Sequence, residues 1–230
     1  MSHPTDKGLD RPAGKAAQDR WTGGVHDCFV VLEGLDGSGT TTQVELLDEA
    51  LRQRGLDSVA TCEPTDSRIG KLLREVIAGG APMAAQSLAL LFAADRSEHV
   101  RSQPDGILAT LERGAIVTSD RYLFSSLAYQ SLDTPFELVV ELNRQFVLPR
   151  HLFFLDTLPE ICQQRVARRQ RRELFELAEA QQRLRDSYQR VLDYFADGPL
   201  QVHVVDGAGS RQEVFARIWG TLEDQPILTR

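Results

Sequence analysis

Ten residues, Gly34-Leu35-Asp36-Gly37-Ser38-Gly39-Thr40-Thr41-Thr42-Gln43, constrain this chain more than any others. They follow a short apolar run at 28–33 and lead into an amphipathic stretch at 41–54. Glycines at 34, 37 and 39 open backbone conformations closed to other residues, so successive N–H groups can turn to one side and hold an anion. A helix beginning at the end of such a turn adds its own unpaired N–H groups and the positive end of its dipole at the same place. Gly34, Gly37, Ser38, Gly39, Thr40, Thr41 and Thr42 are therefore candidate phosphate ligands, and the Thr41 hydroxyl is placed to ligate Mg²⁺. The spacing is that of G-x-x-x-x-G-K-[ST], with Thr40 standing where the lysine belongs.

The rest of the chain supplies the context such a loop needs. Runs at 28–33, 58–62, 115–119, 151–156 and 202–206 are rich in Val, Ile, Leu and Phe and bounded by turn formers, as buried strands are. Between them lie helical patterns at 41–54, 68–78, 83–101, 136–147, 160 to about 195, and 212–222. Alternation of this kind predicts an α/β protein: a five-stranded parallel sheet flanked by helices on both faces, in the P-loop NTPase fold. Ligands of such sheets sit beyond the carboxyl ends of the strands, where Glu33, Asp120 and Asp156 close three of the runs. Residues 1–26 are polar and aperiodic and read as a flexible tail, with Trp21 pinning its end; 27–230 read as one domain.

A net charge of −7 argues against general nucleic-acid binding, which needs a basic face, while leaving room for a small basic pocket. The apolar runs are too short to span a bilayer, and no signal-peptide pattern opens the chain. Three cysteines, Cys28, Cys62 and Cys162, are few and widely spaced, which suits a reducing compartment, the cytoplasm by default, and offers no zinc spacing.

Four segments then carry a strong resemblance to the thymidylate kinase family. They are Phe29-Val-Val-Leu-Glu-Gly-Leu-Asp-Gly-Ser-Gly39; Glu63-Pro64-Thr65 with Gly70-Lys-Leu-Leu-Arg74; Leu90-Leu-Phe-Ala-Ala-Asp-Arg96 with Glu98-His99; and Asp120-Arg121-Tyr122 with Ser125-Ser126 and Ala128-Tyr129-Gln130. Weaker echoes at Phe154-Leu155-Asp156 and at the arginine-rich stretch ending Glu173-Leu-Phe-Glu176 extend the match over nearly all of 28–222. The resemblance implies transfer of a phosphoryl group from ATP, with Mg²⁺, to dTMP. Asp36 would face the acceptor sugar, Arg74 would grip the acceptor phosphate, and Phe92 would stack on the pyrimidine while Arg96 reaches its carbonyl edge. Arg121 would bridge donor and acceptor phosphates, and Asp120 would hold Mg²⁺ through water. Ser126 and Gln130, one helical turn apart, would face the thymine edge, and Tyr122 and Tyr129 would pack around the acceptor, Tyr122 nearer the 2′ position.

Arg165, Arg168, Arg169, Arg171 and Arg172 resemble the family's lid over ATP, here at about 165–176; at least one of the five would act on the γ-phosphate, with Arg168 and Arg172 as the catalytic candidates. Two positions depart from the pattern: Thr40 replaces the loop lysine, and Cys62 stands where an arginine usually precedes Glu-Pro. Two alternatives follow, a kinase for another nucleoside monophosphate or a nucleotide-binding pseudoenzyme. The resemblance also implies a homodimer with helices 83–101 and 136–147 near the contact. His99 reads as a surface or packing residue.

Overall fold

The computed structural model describes residues 21–167 and 174–228. Five strands, β1 (Val25–Gly34), β2 (Ser58–Cys62), β3 (Ile116–Asp120), β4 (Leu148–Asp156) and β5 (Gln201–Asp206), form one sheet in the order β2-β3-β1-β4-β5. Every pairing is parallel, so the strands must be joined by crossovers. The crossovers carry helices α1 (Thr40–Gln53), α2 (Arg68–Ile77), α3 (Ala85–Arg101), α4 (Ile107–Glu112), α5 (Leu123–Tyr129), α6 (Phe136–Asn143), α7 (Pro159–Ala167) and α8 (Leu174–Phe195), and α9 (Arg211–Leu222) follows β5. This is the expected α/β architecture. The central strand β1 is buried from Cys28 to Gly34, which is why its sequence is a continuous apolar run rather than an alternating one.

The differences from the sequence expectation are local and have physical causes. Residues 21–24, assigned to the tail, are bonded to the body: Thr22 N donates to Arg144 O at 2.9 Å and Leu148 N to Gly24 O at 2.8 Å. The ring of Trp21 packs on Phe195 with centroids 5.3 Å apart. Residues 1–20, the greater part of that tail, lie outside the described residues. The helix expected over 136–147 stops at Asn143, because the chain must straighten for β4, which starts at Leu148. Helix α4 has only six residues, too few for a periodic signal, and it was missed. The pattern read as one helix from 160 to about 195 contains α7 and α8, with 168–173 outside the described residues.

The sheet's carboxyl edge is where the chemistry gathers. Register pairs Leu32 with Asp120 and Gly34 with Leu155, so the ends of β1, β3 and β4 are level with one another. Two small devices fix the flanking loops. Ser67 caps α2 by accepting from Gly70 N at 3.0 Å. At α9, Ser210 and Glu213 form a capping box, Glu213 Oε2 accepting from Ser210 N at 2.7 Å.

Candidate active site

A cavity of about 1000 Å³ opens beyond that edge, large enough for a nucleotide. Its walls come from the glycine-rich loop (Asp36, Thr41), the β2–α2 turn (Cys62, Glu63, Pro64), α2 (Arg74), α3 (Phe92, Arg96), and the β3–α5 segment (Asp120, Arg121, Tyr122, Ser125, Tyr129, Gln130). Of the expected acceptor residues, all but Ser126 therefore border one cavity.

The loop itself is dictated by its glycines. Gly37 and Gly39 have φ of 92° and 103°, values a side chain resists. A Cβ on Gly34 would stand 2.4 Å from Ser38 Oγ and 3.1 Å from Leu155 O, so only glycine lets the turn fold back on β4. Gly39 opens α1 without a side-chain cap, and the first turn holds no acidic residue. The N–H groups of Thr40, Thr41 and Thr42 thus begin a helix whose first-turn donors have no partner within it, the arrangement that binds phosphate. Thr40 is buried, 5% exposed, and its short side chain brings no charge into the space a lysine would reach.

Two pairs meet at the loop. Thr41 Oγ1 donates to Asp120 Oδ2, while Asp120 Oδ1 is buried with no hydrogen-bond partner. An unpartnered carboxylate oxygen beside a hydroxyl is a donor set a hard cation accepts, so these residues fit Mg²⁺ directly or through water. Among the described residues no cluster of three His, Cys, Asp or Glu side chains offers a metal site of another kind. In the second pair, Arg121 Nη2 donates to the exposed carboxylate of Asp36 at 2.7 Å. Arg121 takes φ +67°, the one non-glycine residue among those described in the left-handed region, which turns its side chain from the strand end toward the loop.

A buried hub fixes Arg121 from behind. Its Nη1 donates to Tyr188 Oη at 3.1 Å and Ser125 Oγ at 3.2 Å. Both hydroxyls lie against Glu33, which also accepts from Tyr122 N at 2.9 Å and Ser125 N at 3.0 Å. Burial raises the Glu33 carboxyl above its ordinary value, against the opposing pull of Arg121 and of these donors. Glu33 was visible in the sequence only as a polar strand end, and Tyr188, far along α8, carried no signal of its own.

The acceptor wall is built the same way. Arg96 is 1% exposed, yet it borders the cavity. Its Nη2 donates to Glu63 Oε2 at 2.5 Å and to Ser126 Oγ at 3.0 Å, and Nη1 donates to Asn143 Oδ1. Ser126 thus bonds the guanidinium that borders the cavity, and of the two serines it is Ser125 that lines the cavity wall. Gln130 does border the cavity, with Oε1 buried and unpartnered. Tyr122 is fully buried, its ring edge-on to Phe29 and 5.2 Å from the Arg96 guanidinium. Tyr129 borders the cavity beside Arg121, 5.6 Å from its guanidinium carbon. Arg74 is held by Thr65 O at 2.6 Å, Pro64 O, and Asp66 Oδ1 at 3.0 Å, with its side chain partly exposed.

Of the two readings of His99, surface or packing, the structure gives the second, with polar partners on both ring nitrogens. Its Nδ1 donates to Glu63 Oε1 at 3.0 Å, and its Nε2 lies 2.6 Å from Thr61 Oγ1. The adjacent Asp95 accepts from Thr65 N, Thr65 Oγ1 and Ser67 Oγ at 2.6–2.9 Å, so one turn of α3 fixes both the cavity wall and the loop above it. Arg168 and Arg172, expected in the lid, lie outside the described residues.

The family model described as thymidylate kinase matches residues 32–218. The chain belongs to the thymidylate kinase family. It is 40% identical over 179 residues to a protein of Thermococcus kodakarensis named probable thymidylate kinase, covering 74% of this chain and 86% of that one. A protein of the same name from Pyrococcus abyssi is 39% identical over 193 residues, 81% and 91% of the two chains. The thymidylate kinase of Leptospira borgpetersenii is 36% identical over 190 residues, 81% and 88%. Within the thymidylate kinase match fall every residue of the cavity wall, the glycine-rich loop, and both departures from the pattern, Thr40 and Cys62. Cys62 is half-buried and its thiol is pushed up by burial and by Asp120, so it offers the cavity no charge in place of the usual arginine.

Proposed function

We propose that this chain transfers the γ-phosphoryl group of ATP to dTMP, giving ADP and dTDP. The observation that carries the reading is the Asp36–Arg121 pair, 2.7 Å apart, standing where the glycine-rich loop meets the acceptor cavity. The acceptor phosphate is already a nucleophile, so the work is positioning and charge neutralisation rather than base catalysis. The loop's N–H groups bind the donor phosphates. Arg121, braced by Tyr188 and Ser125, aligns donor and acceptor and takes up negative charge that grows on the transferring group. Thr41 and Asp120 are the residues that would hold Mg²⁺, which would supply positive charge against the negative charge of the phosphates. Asp36 accepts from the sugar 3′-hydroxyl, Arg74 takes the acceptor phosphate, Phe92 stacks on the base, and Arg96 with Gln130 reads its edge.

The segment at about 165–176 serves as the lid, where Arg168 or Arg172 would reach the γ-phosphate. A homodimer joined through α3, where Leu90 is exposed, and the 136–147 segment is part of this reading. Among the described residues no helix is long and apolar enough to cross a membrane, and Cys28, Cys62 and Cys162 form no disulfide.

Steady-state transfer from Mg·ATP to dTMP, with dUMP, dCMP and dGMP in parallel, tests the reading. Turnover greatest with dTMP is expected. Turnover with another monophosphate but not dTMP would reassign the acceptor. Binding of ATP and dTMP with no transfer to any acceptor would make the chain a binding protein.

A further inference from the structure

The loop lacks the lysine that would normally stand at residue 40, and Thr40 is buried and uncharged. Besides Arg121, which pairs with the Asp36 side chain, a second cation is fastened to the backbone of this loop. Arg165, near the end of α7, points Nη1 at Ser38 O (2.9 Å) and Gly37 O (3.4 Å), and Nη2 at Gly207 O (3.1 Å) and Gly209 O (3.4 Å). Both ends of the guanidinium fork are thus occupied by backbone carbonyls, two from the glycine-rich loop and two from the turn between β5 and α9.

The consequence is geometric. A trans peptide points its C=O and the next N–H in opposite directions. Fixing Ser38 C=O on Arg165 therefore turns the Gly39 N–H away from the guanidinium. Gly39 itself, at φ 103°, has no Cβ to resist that orientation. Ser38 N donates to Leu35 O at 2.9 Å and closes the first part of the loop, while the peptide between Ser38 and Gly39 has the glycine's extra freedom to lose on ordering. The turn that supplies the other two carbonyls is itself rigid: Ser210 and Glu213 close the capping box, and Arg217 Nη1 donates to Asp206 O and Ala208 O at 2.7 Å each. Gln43 Nε2 adds a second tie, donating to Arg211 O at 3.0 Å.

We infer that Arg165 is a positioning residue that holds the lysine-less phosphate loop in its binding shape, doing from α7 the ordering work that a residue-40 lysine would do from within. Arg165 does not touch the transferred group in this arrangement. Its four acceptors use the donors a phosphate would need, so neutralising the γ-phosphate falls to Arg121 and to the other arginines of the lid stretch, not to Arg165. The inference rests on reading the loop as the ATP site, and the test separates the two.

Binding of Mg·ADP, titrated calorimetrically, is the direct measure, run beside the KM values for ATP and dTMP. Arg165→Met is expected to weaken Mg·ADP roughly tenfold, the loss of about one charged hydrogen bond's worth of ordering, while the KM for dTMP stays near wild type. Adding Thr40→Lys to Arg165→Met is expected to recover most of that loss, and to strengthen binding by a smaller factor when Arg165 is present. Arg165→Lys, which keeps the charge but not the fork, should fall between wild type and Arg165→Met, and it carries the test if the Met variant does not fold. Wild-type affinity in a folded Arg165→Met or Arg165→Lys protein overturns the inference. So does a Thr40→Lys effect of equal factor in both backgrounds, which would leave Arg165 a mere brace of α7. If wild type binds no Mg·ADP, the reading of the loop falls as well.

Discussion

The two halves of the cavity are built on opposite plans. On the acceptor side, charge is internal and paired: Arg96 and Glu63 are both nearly inaccessible, Asn143 and Ser126 accept from Arg96, His99 bonds Glu63 and is itself held by Thr61, and Arg96 Nε alone of the guanidinium is left without a partner. On the donor side the glycine-rich loop presents backbone N–H groups, its own lysine position holds Thr40, and its shape is tied to an arginine from another helix. A buried ion pair gains little net stability, because desolvation offsets attraction, but losing one partner is severe. Pairing of that kind therefore fixes geometry, which discrimination among bases needs. A loop of backbone donors is indifferent to the base and needs only to be held open.

The comparison can be broken first at Glu63. Glu63→Ala leaves Arg96 buried without its carboxylate and should cost roughly 3–5 kcal/mol of stability, read by urea denaturation. Glu63→Leu with Arg96→Met should cost distinctly less stability while raising the KM for dTMP and sparing that for ATP. If the single variant is no worse than the double, the acceptor wall is not held by this pair.

Arg121 belongs to both halves. Arg121→Ala should lower kcat by roughly 10²–10³, with both KM values changing far less. A loss confined to the KM for one substrate would place Arg121 on one side of the cavity instead of between them.

A third measurement separates the site from the sheet that carries it. His151 on β4 lies with Nδ1 3.2 Å from His203 Nε2 on β5, and burial, then His203 and Arg150, lowers its pKa from 6.5 to about 4, against Asp27. A pKa depressed on folding means the unfolded chain takes up the proton first. Stability from this group is thus fully present above pH 6.5 and is lost as pH falls toward 4, by an amount on the order of 3 kcal/mol. Melting curves across that range should be flatter for His151→Asn than for wild type. Equal slopes would move the acid sensitivity elsewhere, to carboxylates.

The smallest effect expected is at Ser210. Ser210→Ala removes half the capping box and should cost about 1 kcal/mol. Because Gly207 and Gly209 anchor Arg165, it should also weaken ATP slightly and leave dTMP alone. An effect on dTMP would show that the two halves are not separable.

Much of this molecule was legible in the sequence because it depends on neighbours along the chain. The glycine spacing from Gly34 to Gly39, the apolar runs of the strands and the order of the four family segments fixed the parallel sheet, the loop and most of the cavity wall. What depended on distant contacts was not legible. Whether Ser125 or Ser126 faces the cavity was settled by how α5 sits against Arg96. Glu33 and Tyr188, 155 positions apart, meet only because α8 lies across the end of β1. His99 gave no local sign that Glu63 would lie beside it, and Arg165 looked like one arginine in a run of five until the fold set it against four carbonyls. Sequence by itself determines what repeats at the period of a helix or strand and what a tight turn requires. The partner of a buried polar group is decided by packing, since many arrangements would satisfy the same side chain and only the tertiary structure selects one.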